Sequence, residues 1–140
     1  MQTKPKVTQI REAILAELEF LQPTYVNEIV ATLDDQAAFE AQIPFIRIKR
    51  GDAEINIGDM QEFEHALEIE LTYVNALSAE IDDQIDYILE ESSQLLTRSQ
   101  SLADLIDYIT PTETTINDVE SDTPLISATI KFTITYSQGV

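Results

Sequence analysis

The sequence has no cysteine, no tryptophan, a single histidine and only three glycines in 140 residues. Without cysteine there is no disulfide framework, no thiolate nucleophile and no zinc–thiolate site. One imidazole leaves no paired-histidine metal centre, and glycines at 51, 58 and 139 alone cannot build a glycine-rich phosphate loop. Cations are scarce as well. Lys plus Arg number 8 against 26 Asp plus Glu, a formal net charge of −18. A surface that grips nucleic-acid phosphates or anionic lipid needs dense Lys and Arg, so this balance argues against both as direct ligands. Apolar runs reach three or four residues, well below the ~20 of a membrane-spanning helix. Polar residues at Thr8, Gln9, Arg11 and Glu12 interrupt the N-terminal region where a signal peptide needs an apolar core. The expectation is an intracellular soluble protein or a soluble piece of an assembly, with no cofactor and no metal and with most enzyme classes removed.

What is present suits a globular domain: 44% hydrophobic and 24% charged residues. The length predicts one domain over residues 1–140, since domains run ~100–200 residues. Val7, Ile10, Ile14, Leu18 and Leu21 recur at spacings of three and four and predict a helix over Val7–Leu21, stopped by Pro23. Thr24–Leu33 is β-rich and reads as a short edge strand, and Asp34–Gln42 as an acidic connector. Phe45, Ile46 and Ile48, with Arg47, Lys49 and Arg50, predict a strand with one polar face. Gly51-Asp52 and Gly58-Asp59 read as turns on either side of the short alternating piece Ala53–Ile57.

From Phe63 to Val74 the odd positions are Phe63, His65, Leu67, Ile69, Leu71 and Tyr73, and Glu64, Glu68, Glu70 and Thr72 alternate with them. A period of two held over a dozen residues is a strand. Ser78 is expected to cap a second helix whose stripe is Ile81, Ile85, Ile88, Leu89, Ser92 and Leu96. Ser101 and Asp104 suggest the start of a short third helix, Leu102–Ile106. Pro111 limits Tyr108–Val119 to an edge or broken strand. In the closing strand Ala128, Ile130, Phe132, Ile134 and Tyr136 point one way and Thr129, Lys131, Thr133 and Thr135 the other. Strand runs separated by helices predict an α+β fold: a mixed, mostly antiparallel sheet with two main helices packed on one face.

Few residues invite chemistry. His65 shares a strand face with Leu67 and Ile69 and reads as a hydrogen-bonded histidine at the core edge; no serine stands in a nucleophile-elbow context beside it. Asp118, Glu120 and Asp122 match positions 1, 3 and 5 of a calcium loop, but Thr123 and Thr129 replace the required glycine and glutamate, leaving an acidic turn. Arg50-Gly51-Asp52 spells an adhesion tripeptide and is more simply a strand end.

Charge is unevenly placed. Gly51 through Thr97 holds 13 acidic residues and no Lys or Arg, whereas bases gather at Lys4, Lys6 and Arg11 and at Arg47, Lys49 and Arg50. Three readings fit: plain solubility, segregated charge suited to head-to-side packing of identical subunits, or a DNA mimic whose carboxylates replace phosphates.

The string Gln9-Ile10-Arg11-Glu12-Ala13-Ile14-Leu15 is followed by Ile43-Pro44-Phe45-Ile46-Arg47-Ile48. After a polar hairpin come Glu64-His65-Ala66-Leu67-Glu68-Ile69-Glu70-Leu71, an acidic helix, and Ile130-Lys131-Phe132-Thr133-Ile134-Thr135-Tyr136. In order and length this resembles the minor tail protein U family, the lambda-like tail terminators of long-tailed phages. The resemblance implies a non-enzymatic subunit that forms a homo-hexameric ring on the tail tube, stops tube polymerisation and presents a surface to the head-side connector or neck protein. It further implies a place in the virion tail after assembly in the host cytoplasm, with DNA passing through the ring rather than being gripped. The family's hairpin maps to Arg50–Met60, so the candidate assembly interface comprises Arg47, Lys49, Arg50, Asp52, Glu54, Asn56 and Asp59. Alternatives are another head–tail joining or tail-completion protein and, from a different class, an acidic DNA-mimic inhibitor.

Overall fold

A computed structural model describes residues 4–22, 24–34, 42–57, 62–119 and 124–139. Helix α1 spans Lys6–Leu18 and tightens into a 3-10 turn, Glu19–Leu21. Strands β1 (Glu28–Ala31), β2 (Phe45–Ile57) and β3 (Glu62–Ala76) follow, then helices α2 (Ile81–Thr97) and α3 (Gln100–Ala103), and strands β4 (Tyr108–Val119) and β5 (Leu125–Gly139). The five strands form one sheet in the order β1-β2-β3-β5-β4. β1 runs parallel to β2 and every other pairing is antiparallel, which makes the fold a mixed-sheet α+β. Parallel strands need a connection of about a dozen residues to return along the sheet, and residues 32–44 supply it. Most of the acidic connector, residues 35–41, lies outside the described residues.

The helices cover one sheet face because both alternations aim their apolar residues there. From β3 come Leu67, Ile69, Leu71 and Tyr73, and from β5 Ala128, Ile130, Phe132, Ile134 and Tyr136, all at 5% exposure or less. They meet Ile10, Ile14 and Leu18 of α1 and Ile81, Ile85, Ile88 and Leu96 of α2 in one core. Helix α3 is tied in by Ser99, whose hydroxyl accepts from the Leu102 amide at 3.1 Å and donates to Glu17 Oε1 on α1 at 2.9 Å.

Three local expectations are corrected. Gly51-Asp52 is not a turn: β2 continues through it, with a bulge between Arg50 and Ala53 that sets two residues, Gly51 and Asp52, against the single Glu68 of β3. Gly51 suits that place because a Cβ there would meet Glu68 Cβ at 3.2 Å. Ser78 does not cap α2, which begins after Glu80 without a side-chain cap. The chain bends once more so that Ile81, first of the buried stripe, reaches the core, and Ser78 contributes its carbonyl to the Ile81 amide at 3.3 Å. The short helix is capped by Ser99, not Ser101, and spans Gln100–Ala103. The second Gly-Asp pair, Gly58-Asp59, lies outside the described residues.

Ser92 interrupts the α2 stripe. It is fully buried, and its hydroxyl has no partner among the described residues. An unsatisfied buried hydroxyl costs ~1–3 kcal/mol, and alanine is the better helix former. Ser92→Ala should therefore stabilise the domain by about 1 kcal/mol and raise its melting temperature by a few degrees, read by calorimetry.

Candidate functional site

The sheet face away from the helices is polar apart from the buried Phe45–Val74 pair, and it is ordered in rows across the strands. In one, Arg47, Thr72, Thr129 and Thr115 stand side by side on β2, β3, β5 and β4; the Thr72 and Thr129 hydroxyls are bonded at 2.8 Å, and Arg47 Nε donates to the Thr32 carbonyl at 3.2 Å. The next row alternates in sign: Lys49, Glu70, Lys131, Glu113. Lys131 Nζ lies 3.6 Å from both Glu70 and Glu113 and 3.7 Å from Glu68. Those carboxylates, Glu113 foremost, then Glu68 and Glu70, hold the ammonium pKa above its usual value.

The helix-bearing face opens into a groove at each end. One, of about 460 Å³, lies between the Thr24–Tyr25 loop, Pro44, the end of β3 and the start of α2. Tyr25 and Tyr87 meet in it with centroids 4.7 Å apart and ring planes tilted by 36°, and the Tyr87 hydroxyl donates to that of Tyr25 at 3.2 Å. Glu80 and Asp83 line it beside them, with no Lys or Arg in its lining among the described residues. At its floor Asn75 donates to the Tyr73 hydroxyl at 2.7 Å and to Gln84 at 3.3 Å, bracing β3 on α2. The other groove, of about 550 Å³, runs between the start of α1 and the bulged half of β2, with Lys6, Arg50, Ile55, His65 and Tyr136 in its lining. A small cleft beside it, sharing Val7 and Arg50, adds Arg11 and Leu33.

The expected hydrogen bond to the His65 side chain is not found among the described residues. The His65 ring lies flat on Tyr136 at 4.6 Å, and Nε2 has no partner among the described residues. No group of three or more metal-ligating side chains is present among the described residues, and none of their helices is long and apolar enough to cross a membrane. Of the calcium-loop candidates, Glu120 and Asp122 lie outside the described residues.

The residues expected to form one assembly interface are divided by the sheet. Arg47, Lys49 and Glu54 belong to the open face, whereas Arg50 and Asp52 line the groove on the helix-bearing face. Asn56 pairs with Glu64 through its backbone register; its side chain and Asp59 lie outside the described residues. The bulge causes the division: its one extra residue brings the even-numbered Glu54 onto the face that carries Arg47 and Lys49. Sequence reasoning missed the Tyr25–Tyr87 pair altogether, since 62 positions separate the two residues.

Three phenols titrate high. The hydrogen bond to Tyr25 is the main cause that pushes Tyr87 up to about 12; burial raises Tyr73 and Tyr136, offset partly by Asn75 and by Arg50 respectively. A folded-state pKa above the unfolded value contributes stability that is full below pH ~10 and is lost as pH rises through the folded values. Alkaline titration of tyrosinate absorbance should therefore show three of the five tyrosines ionising late, with unfolding in that range. Tyr25→Phe should return one late ionisation, that of Tyr87, toward pH 10, and an unchanged profile would mean that the pair does not form in solution.

No family model matches this chain, and no curated protein matches it. The fold is shared with a solved structure: a chain in the virion of a native gene transfer agent particle aligns with a TM-score of 0.55 over 97% of this chain and 100% of that chain. Identity is 7%, so the likeness is one of fold.

Proposed function

We propose that this protein is a virion structural subunit of phage type, and within that class a tail terminator: a single domain over residues 1–140 that joins identical copies into a ring on the end of the tail tube. The ring, a hexamer in this reading, halts tube polymerisation, faces the head-side connector and lets DNA through. Its place is the virion tail, reached from the host cytoplasm during assembly, and it catalyses no reaction. The observation that carries the reading is the end-to-end fold likeness to a virion chain. The composition supports it: an acidic subunit around a channel does not retain DNA.

The distal β2–β3 arm, which carries Glu54 and the bulge, is the contact to the tube. Replacing Glu54, Asn56 and Asp59 together with serine should leave circular dichroism and melting nearly unchanged, since this polar segment is proposed to serve contact rather than folding. In a complementation assay the same variant should give few infectious particles, with tails of irregular length or without heads. Native mass spectrometry and electron microscopy of the purified chain test the ring itself. One discrete oligomer with a central opening is expected, and a chain that remains monomeric when concentrated overturns the reading. A DNA mimic would instead bind a DNA-handling enzyme and form no ring.

A further inference from the structure

The two grooves of the helix-bearing face are opposites in charge and alike in apolar content. At one end Glu80 and Asp83 flank the Tyr25–Tyr87 pair, whose rings are 42% and 43% exposed. At the other, three cations, Lys6, Arg11 and Arg50, outweigh one acid, Asp52, around Ile55, 64% exposed, and Leu33, 57% exposed. Cations are few in this chain, and some are already engaged: Lys4 holds Glu12 at 2.9 Å, and Lys131 serves three carboxylates. Lys6, Arg11 and Arg50 make no ion pair among the described residues, although 26 acids are available to the chain. The Glu80–Asp83 end likewise has no cation in its lining. The grooves lie at the two ends of β3, at Tyr73 and at His65, about 27 Å apart at ~3.4 Å per residue.

We infer that the occupant of the acid–aromatic groove is a second copy of this chain, which presents its Arg11–Arg50 groove to it. The inference rests on the ring reading above and names the surfaces that make it. Arg guanidinium suits the Tyr25–Tyr87 site twice over, because it stacks on an aromatic face and pairs with carboxylate. Apolar Ile55 and Leu33 supply the contact area around the charges. Since each copy uses two different patches, the contact is head to tail, and such contacts close into a ring when the rotation permits. An interface made of one patch meeting itself would oppose acid to acid or base to base, and like charges brought together disfavour that pairing.

Charge reversal tests the pairing. Arg11→Glu with Arg50→Glu in one protein, and Glu80→Lys with Asp83→Lys in another, change exposed positions, so each should keep the wild-type circular dichroism. Each alone should weaken self-association at least about tenfold by sedimentation velocity, the scale of a lost interfacial charge pair. Mixing the two should restore assembly, since every reversed groove then meets a reversed partner. Contact is read independently by cysteines, of which the native chain has none. Tyr25→Cys protein mixed with Ile55→Cys protein should give the mixed disulfide dimer under mild oxidation. If wild type forms a discrete oligomer while the reversed variants assemble equally well and no mixed disulfide appears, this pairing is wrong and the ring reading stands. If wild type stays monomeric when concentrated and gives no crosslink, both fall.

Discussion

Ile69→Asp is expected to leave no cooperative thermal transition. Ile69 sits mid-way along β3, 3% exposed, between Arg50 on β2 and Phe132 on β5 and beneath the helices. A carboxylate there is buried without a partner, which costs several kcal/mol, and the methyl groups that filled the space are gone as well. A domain of this size has only about 5–15 kcal/mol in total. Glu68→Lys, one position away on the open face and about one-third exposed, should cost little, because Lys131 keeps Glu70 and Glu113. Similar melting curves for Ile69→Asp and wild type would show that the β3 faces are assigned the wrong way round.

Lys131→Glu should give the largest loss among open-face substitutions. It places a fourth carboxylate among Glu68, Glu70 and Glu113, and like charges opposite one another on a sheet destabilise it. Lys131→Met, which removes the cation but adds no charge, should lose less. Both deficits should shrink in concentrated salt, since these groups are solvent-accessible and ions screen them within a few ångströms at ~1 M. A Lys131→Glu melting point that is low at every salt concentration would point to packing rather than repulsion. The raised Lys131 pKa adds a second signature. Its contribution is full below the ordinary lysine value of 10.5 and is lost as pH rises through the higher folded value.

The alternation of β3 and β5 and the stripes of α1 and α2 could be read directly from the sequence, because burial on one side imposes the period of each element. Pro111 likewise announced β4 as an edge strand, since it has no amide to give a further strand. Gly51-Asp52 misled because turns and bulges draw on the same residues. Which one forms depends on the partner strand, here on Glu68 lying close against Gly51. Ser99 outcompeted Ser101 as a cap through a tertiary bond to Glu17, 82 positions away. The charged residues of β2 appeared as one cluster because periodicity alone does not report an inserted residue. Their division between two faces is visible only once the register with β3 is known.

The outer strands of the sheet determine how copies can add to one another. β1 is four residues long, and β4 carries Pro111, a bulge between Pro111 and Glu113, and the Glu113 charge. Each of these blunts the backbone edge against a further strand. Such a sheet does not grow by lateral hydrogen bonding, the route by which flat edges polymerise without limit. Copies that meet would do so through side chains on shaped surfaces, and in the proposed ring the fixed angle of that contact sets how many fit before the circle closes. For a protein whose proposed task is to end a polymer, an edge that refuses templated extension keeps the subunit from becoming a fibre itself.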